Sequence, residues 1–219
     1  MLVMTDGRAD CLARSVASFD RLHGPIAARV IHDDSGTPGY TRHLAENYPG
    51  WRIVSTGRRS GFAGAYRSAW AWLRQHCDTE FVLSTEDDFR FVTDINLSEM
   101  AAVLRHDPRL AQIALLRQPW NAQESAAGGI VQMDPPSFTE CTDGTHWWLA
   151  HRKFFTTNPH MVRADFIREH QWPEGSQSEG RFSVDLFRSD PAARSAFWGR
   201  ADDPPRVEHI GTQRVGTGY

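Results

Sequence analysis

Lysine is nearly missing from this chain. Of its 24 Lys and Arg residues all but one, Lys153, are Arg. Codon usage in a GC-rich genome accounts for such a bias, and so does a demand for phosphate forks, which Arg supplies better than Lys. Cysteine is scarce too: Cys11, Cys77 and Cys141 are odd in number and far apart. That spacing excludes a disulfide framework and a CxxC metal site, and it predicts free thiols in a reducing compartment. No apolar run approaches the roughly 20 residues of a membrane span. The opening MLVMTDGR has no basic region followed by an apolar stretch, so it does not read as a signal peptide. The expectation is a cytoplasmic protein with no membrane partner. An excess of positive charge is also lacking, since 27 acids outnumber the 24 cations and the net charge is -3. That disfavours a general nucleic-acid binder. Ten His contain no HExxH, so a zinc hydrolase has no support.

What is present is an ordinary globular composition, 40% hydrophobic and 23% charged over 219 residues. It excludes disorder and coiled coil and leaves room for one domain. Short apolar runs alternate with helical patterns. Leu2 to Met4, Ala28 to Ile31, Trp51 to Ser55, Phe81 to Ser84 and Leu110 to Leu116 read as strands. Leu12, Val16, Phe19 and Leu22 share one helical face, and Gly64 to Gln75 and Ile95 to His106 read as helices. This alternation predicts a mostly parallel sheet flanked by helices. Residues 117 to 150, rich in Gly, Pro, Ser and Trp, predict an irregular lid. Beyond it, Phe154 to Thr157 reads as a strand, and Arg163 to His170 and Gly180 to Phe187 as helices.

Ligands of parallel sheets bind at the carboxyl ends of the strands. Each of the first four strand ends here is polar or glycine-rich: Thr5-Asp6-Gly7-Arg8, Asp33-Asp34-Ser35-Gly36, Arg58-Arg59-Ser60-Gly61 and Glu86-Asp87-Asp88. Three adjacent carboxylates repel unless a cation or hydrogen-bond donors neutralise them. Mn²⁺ and Mg²⁺ suit such oxygen ligands and share them with phosphates. The bland alternative is a solvated acidic turn.

Taken in order, TDGR, HDDSG, RRSGFAGA and LSTEDDF resemble a GT-A-fold glycosyltransferase of the family-2-like type. The resemblance covers residues 1 to 116 well and the remainder loosely. It implies a single α/β domain, with 1–116 as the nucleotide-sugar half and 117–219 as the acceptor-side half. It casts Glu86-Asp87-Asp88 as the DxD motif, with Glu86 and Asp88 on a divalent cation and Asp87 reaching the ribose. Asp33 or Asp34 would contact the base or ribose. Thr5, Asp6, Arg8, Arg59, Gly61, Phe62 and Arg214 would line the donor. His209 would be a further metal ligand, with a surface or core His as the alternative. Glu179 would be the general base of an inverting transfer; Asp185 and Glu174 compete, and a helix-start carboxylate that only complements the dipole is the alternative.

Trp147, Trp148 and Asp185 are the expected acceptor contacts, although the tryptophans would serve equally as core under a lid. Small enzymes of this kind are similar to those carried by phages, acting in the host cytoplasm. That makes a virion protein, a glycan or a hydroxymethylated DNA base the expected acceptor. A metal-dependent nucleotidyltransferase shares the sheet and the acids, but its Gly- and Arg-rich loop ending in Lys is absent. A non-catalytic carbohydrate-binding module is the remaining alternative.

Overall fold

The computed structural model describes residues 1–211. The chain runs β1 (Leu2–Thr5), α1 (Ala9–Val16), β2 (Leu22–His23), β3 (Val30–Asp33), α2 (Pro38–Asn47), β4 (Arg52–Ser55), α3 (Gly61–His76), β5 (Phe81–Glu86), β6 (Phe89–Phe91), β7 (Ile95–Asn96) and α4 (Leu97–His106). It continues with β8 (Leu110–Ala114), α5 (Ala122–Ala127), α6 (Ile130–Met133), β9 (Phe138–Thr142), β10 (Trp147–His151), β11 (His160–Arg163), α7 (Ala164–Glu169), α8 (Ser178–Ser189), β12 (Arg194–Trp198) and β13 (Val207–His209).

One sheet, ordered β4-β3-β1-β5-β11-β8-β12-β10-β9, holds nine strands. The first four are parallel, as their alternation with helices requires. β11 then runs antiparallel between β5 and β8. β8 and β12 are parallel, and β10 is antiparallel to both β12 and β9. The fold is thus the expected α/β layer structure, with a sheet that is parallel at one end and mixed at the other. Because β11 enters the middle, the sheet does not divide at residue 116. Among the described residues no helix is long and apolar enough to cross a membrane.

Alternation along the strands sorts side chains into two layers. Leu2, Met4 and Val82 pack under α3, α7 and α8 with Trp70, Phe166 and Phe182. Val3, Ile31, Leu83 and Met161 face the other way, toward Leu12, Leu44, Met100 and Leu104. Buried hydrophobic surface of this kind on both faces is what fixes the register.

Two expectations need correction. The lid over 117 to 150 is not irregular: it folds into α5, α6 and the hairpin β9–β10, which extends the sheet. Phe154 to Thr157 is not a strand. Its backbone is held by α8 instead, since Ser183 Oγ accepts from the Phe155 N–H at 2.7 Å and Glu179 Oε1 from the Thr157 N–H at 2.7 Å.

Gly36 shows how a strand end is fixed. Its φ is +66°, and a Cβ there would lie 2.5 Å from the Arg59 backbone nitrogen. The turn after β3 can therefore lie against the Arg58–Arg59 loop only with glycine. Gly36→Ala is expected to cost about 1–3 kcal/mol from the left-handed conformation alone. That is a fall of roughly 2–4 °C in melting temperature per kcal/mol at this chain length, measured by thermal denaturation.

Candidate active site

The carboxyl ends of β1, β3 and β5, the start of α3, the start of α8 and strand β13 meet around one cleft of about 1760 Å³. Thr5, Asp6, Arg8, Asp34, Arg59, Gly61, Phe62, Glu86, Asp88, Glu174, Glu179 and His209 all line it.

On the β1 side Arg8 is a hub. Its guanidinium meets Asp88 Oδ2 at 2.5 Å, Asp6 Oδ1 at 3.2 Å, and Asp87. Asp6 also holds Arg59 at 2.9 Å. Thr5 Oγ1 donates to Asp87 Oδ2 at 2.6 Å. Asp87 is fully buried beneath this pair rather than on the cleft wall. Asp33 is likewise turned inward, accepting from the Ser35 N–H at 2.8 Å and the Thr41 hydroxyl at 2.5 Å. Asp34 reaches the start of α3, where its oxygens accept from the backbone of Ser60 at 2.9 Å and of Gly61 at 2.8 Å. A carboxylate there is favoured by the helix dipole.

Across the cleft, His209 Nε2 lies 3.3 Å from Asp88 Oδ2. β13 is placed by its pairing with β6, which sets His209 opposite Phe89, and by Gln118. The Gln118 amide accepts from the His209 N–H at 2.9 Å and donates to its carbonyl at 3.0 Å. Gly211 lies close enough that a Cβ would be 2.2 Å from Asp88 Oδ2.

The acids differ in their electrostatics. Burial pushes the Glu86 carboxyl up to about 8, and the charges of Asp88 and Glu179 add to it; Tyr66 donates to Glu86 Oε1 at 3.1 Å. Burial opposes charge on Asp88 as well, but His209 and Arg8 outweigh it and hold that carboxyl below the ordinary range. Burial raises Glu179 above the ordinary range despite the Thr157 N–H. Carboxyls pushed apart in this way are suited to different roles.

Among the described residues no group of three or more His, Cys, Asp or Glu is arranged to hold a metal by itself. Two residues nonetheless fit a cation shared with phosphates. Asp88 Oδ1 and His209 Nδ1 are buried without partners, and an oxygen–nitrogen pair suits Mn²⁺. Glu86 is engaged with Tyr66 instead.

The expected acceptor contacts do not line the cleft. The alternation of β10 sends Trp148 into the core beside α4, with His106 6.0 Å away. Trp147 stacks under Arg200 at 4.4 Å, and Asp185 is exposed on α8. Arg214 lies outside the described residues. Tyr66, Arg117, Trp120 and Phe154 do line the cleft; Trp120 and Phe154 share the aromatic 117–155 stretch with the expected contacts Trp147 and Trp148, whereas no motif marks Tyr66 or Arg117. Helical spacing from Phe62 marks Tyr66 only as an inward position.

No family model and no curated protein matches the chain. Solved structures do. TarS residues 1–349 of S. aureus superposes with a TM-score of 0.64 at 15% identity, over 95% of this chain and 59% of that one. The mannosyltransferase PcManGT of Pyrobaculum calidifontis, in complex with GDP-Man and Mn²⁺, gives 0.62 at 15% identity, over 98% and 57%. GalNAc-T7 with UDP, GalNAc and Mn²⁺ gives 0.64 at 12% identity, over 99% and 46%. TarS has also been solved with UDP-GlcNAc. The chain spans about half to three-fifths of those proteins. The architecture reached by way of the strand-end acids is the GT-A glycosyltransferase fold.

Proposed function

We propose that the protein transfers a sugar from a nucleoside diphosphate sugar to an acceptor hydroxyl, with inversion. The observation that carries this reading is Asp88, whose buried Oδ1 lacks a partner while Oδ2 lies beside His209, in a cleft shared with Glu179.

Asp88 and His209 would hold Mn²⁺ or Mg²⁺. Such a cation, when bound, neutralises charge developing on the diphosphate. The strand-end residues Thr5, Asp6, Arg8, Arg59, Gly61 and Phe62 bind the donor, and Asp34 holds the α3 end against it. Arg8 and Arg59 fork the phosphates, sharing their guanidinium groups with Asp6, Asp87 and Asp88. Glu179 accepts the acceptor hydroxyl proton as that oxygen forms its bond to the anomeric carbon. The bond from this carbon to the diphosphate breaks, and the electron pair leaves with the phosphate oxygen. The raised Glu179 carboxyl gives a stronger base than an exposed one.

A screen of UDP- and GDP-sugars with Mn²⁺ tests the reading. One donor is expected to release nucleoside diphosphate, to lose that activity in EDTA and to regain it on adding Mn²⁺. At 100 times its Kd that donor stabilises the fold by about 2.7 kcal/mol. Turnover insensitive to EDTA would remove the cation. Release of pyrophosphate would point to nucleotidyl transfer instead, and binding without turnover to a non-catalytic module.

A further inference from the structure

Trp120 is nearly half exposed (47%), yet it is held firmly. Its backbone N–H donates to Glu124 Oε2 at 2.8 Å. The same carboxylate receives Arg117 Nη1 at 2.7 Å and Nη2 at 3.1 Å. Asn121 caps α5 by accepting from the Glu124 N–H at 2.9 Å. Arg117 and Glu124 are both largely buried, so the segment between them is pinned at each end. The indole meets the His209 ring edge-to-face with centroids 4.4 Å apart, and the Arg117 guanidinium lies 5.6 Å from its centre. An apolar ring is therefore presented to solvent one residue away from Asp88, at low entropic cost to a ligand that stacks on it.

The wall beside it is apolar, with Ile130, Phe154 and Phe197 lining the same cleft, and Thr156 and Asn158 add neutral hydrogen-bonding groups. Among the described residues, the cations that line this cleft outside the strand-end turns are engaged elsewhere. Arg67 pairs with Glu174 at 2.6 Å, Arg74 donates to the carbonyls of Ile167 at 2.9 Å and of His170, and Arg117 is bound to Glu124. A polyanion such as DNA needs unpaired cations along its phosphates. A neutral sugar instead offers an apolar face for a ring and hydroxyls for neutral polar groups.

We infer that the acceptor is an uncharged carbohydrate and that Trp120 is the platform on which its sugar ring stacks. This deepens, and rests on, the glycosyl-transfer reading above.

The test offers wild type, Trp120→Ala and Trp120→Phe the active nucleotide sugar with Mn²⁺ and three acceptor sets. These are neutral oligosaccharides, duplex DNA carrying hydroxymethylated pyrimidines, and Ser/Thr peptides, with products read by mass. Transfer to a neutral oligosaccharide is expected. Trp120→Ala should raise the acceptor KM about 10-fold or more, the usual loss of one ring stack, while the donor KM changes less than about twofold. Trp120→Phe, which keeps an aromatic face, should recover most of the loss and shows that the site still folds. Transfer confined to DNA or peptide overturns the inference, as does Trp120→Ala matching wild type in acceptor KM with sugars. Nucleoside diphosphate release without transfer to any sugar overturns it while leaving the donor reading intact. No release from any nucleotide sugar overturns both.

Discussion

Replacing Glu179 by Gln is expected to lower kcat for transfer about 10²- to 10⁴-fold, the usual contribution of a positioned general base. The donor KM should move little, because the carboxylate acts on the acceptor hydroxyl. The amide is nearly isosteric, and its oxygen can still accept from the Thr157 N–H that Glu179 Oε1 now engages at 2.7 Å. A fall in kcat can then be separated from collapse of the 154–157 segment. Burial raises the Glu179 carboxyl above the ordinary range. The base form is therefore lost at a higher pH than for an exposed Glu, and kcat of the wild type should rise with pH through that raised value. Glu179→Gln should flatten this limb. Stability runs the opposite way. The folded state keeps a proton that the unfolded chain releases, so this group's contribution is fully present below the ordinary carboxylate pKa. It is lost as pH rises through the raised one. Stopped assays and denaturant melts across pH check both signs. A variant that keeps kcat within a fewfold returns Glu179 to a purely structural role at the start of α8.

Asp88→Asn is expected to reduce nucleoside diphosphate release at least about 10²-fold, comparable with deleting one preorganised charge-stabilising group. It should also abolish the Mn²⁺-dependent rise in melting temperature. The two readouts separate a site effect from a folding effect. Asp88 is buried and paired with Arg8 and His209, and removing one partner of a buried pair costs about 3–5 kcal/mol. Asparagine keeps a hydrogen-bonding oxygen of the same size, so Asp88→Asn should melt above Asp88→Ala while sharing its inactivity. Calorimetric titration of Mn²⁺ in the presence of nucleoside diphosphate supplies the direct measurement. Unchanged Mn²⁺ affinity would place the cation away from Asp88.

The strand-end side of the cleft was legible because its motifs are local. Each strand of the parallel half ends in its own polar turn, so contiguous motifs such as Thr5–Arg8 and Glu86–Asp88 mark the cleft without knowledge of tertiary contacts. Reading roles within a motif was harder. Asp33 and Asp34 are adjacent, yet one closes its own turn and the other caps a helix across the cleft, and alternation alone does not say which. On the other side the sequence misleads for a physical reason. Trp147 and Trp148 look like a sugar platform, but strand pairing assigns them to opposite faces, one into the core and one beneath Arg200. Trp120 stands in the same Trp-rich stretch, but nothing local sets it apart from Trp147 and Trp148. Its placement depends on a Glu–Arg pair and on β13, nearly ninety residues later, which no local pattern encodes. Phe154 to Thr157 has the β-branched and aromatic residues of a strand, but α8 takes its backbone hydrogen bonds.

β13 has three residues, pairs with the short β6, touches the 116–117 backbone only through Val207, and owes part of its hold to one glutamine side chain. Its apolar anchors are Val207 in the core and the rings of Phe89 and Trp120 against His209. Its local free energy of opening should therefore sit well below that of the nine-stranded sheet. A molecule with its core intact can thus release His209 from Asp88 by a partial, reversible detachment. On the proposed function, catalytic competence and foldedness are separate equilibria: mild denaturant or warming would draw down the active population first, while the bulk of the chain still protects its amides from exchange.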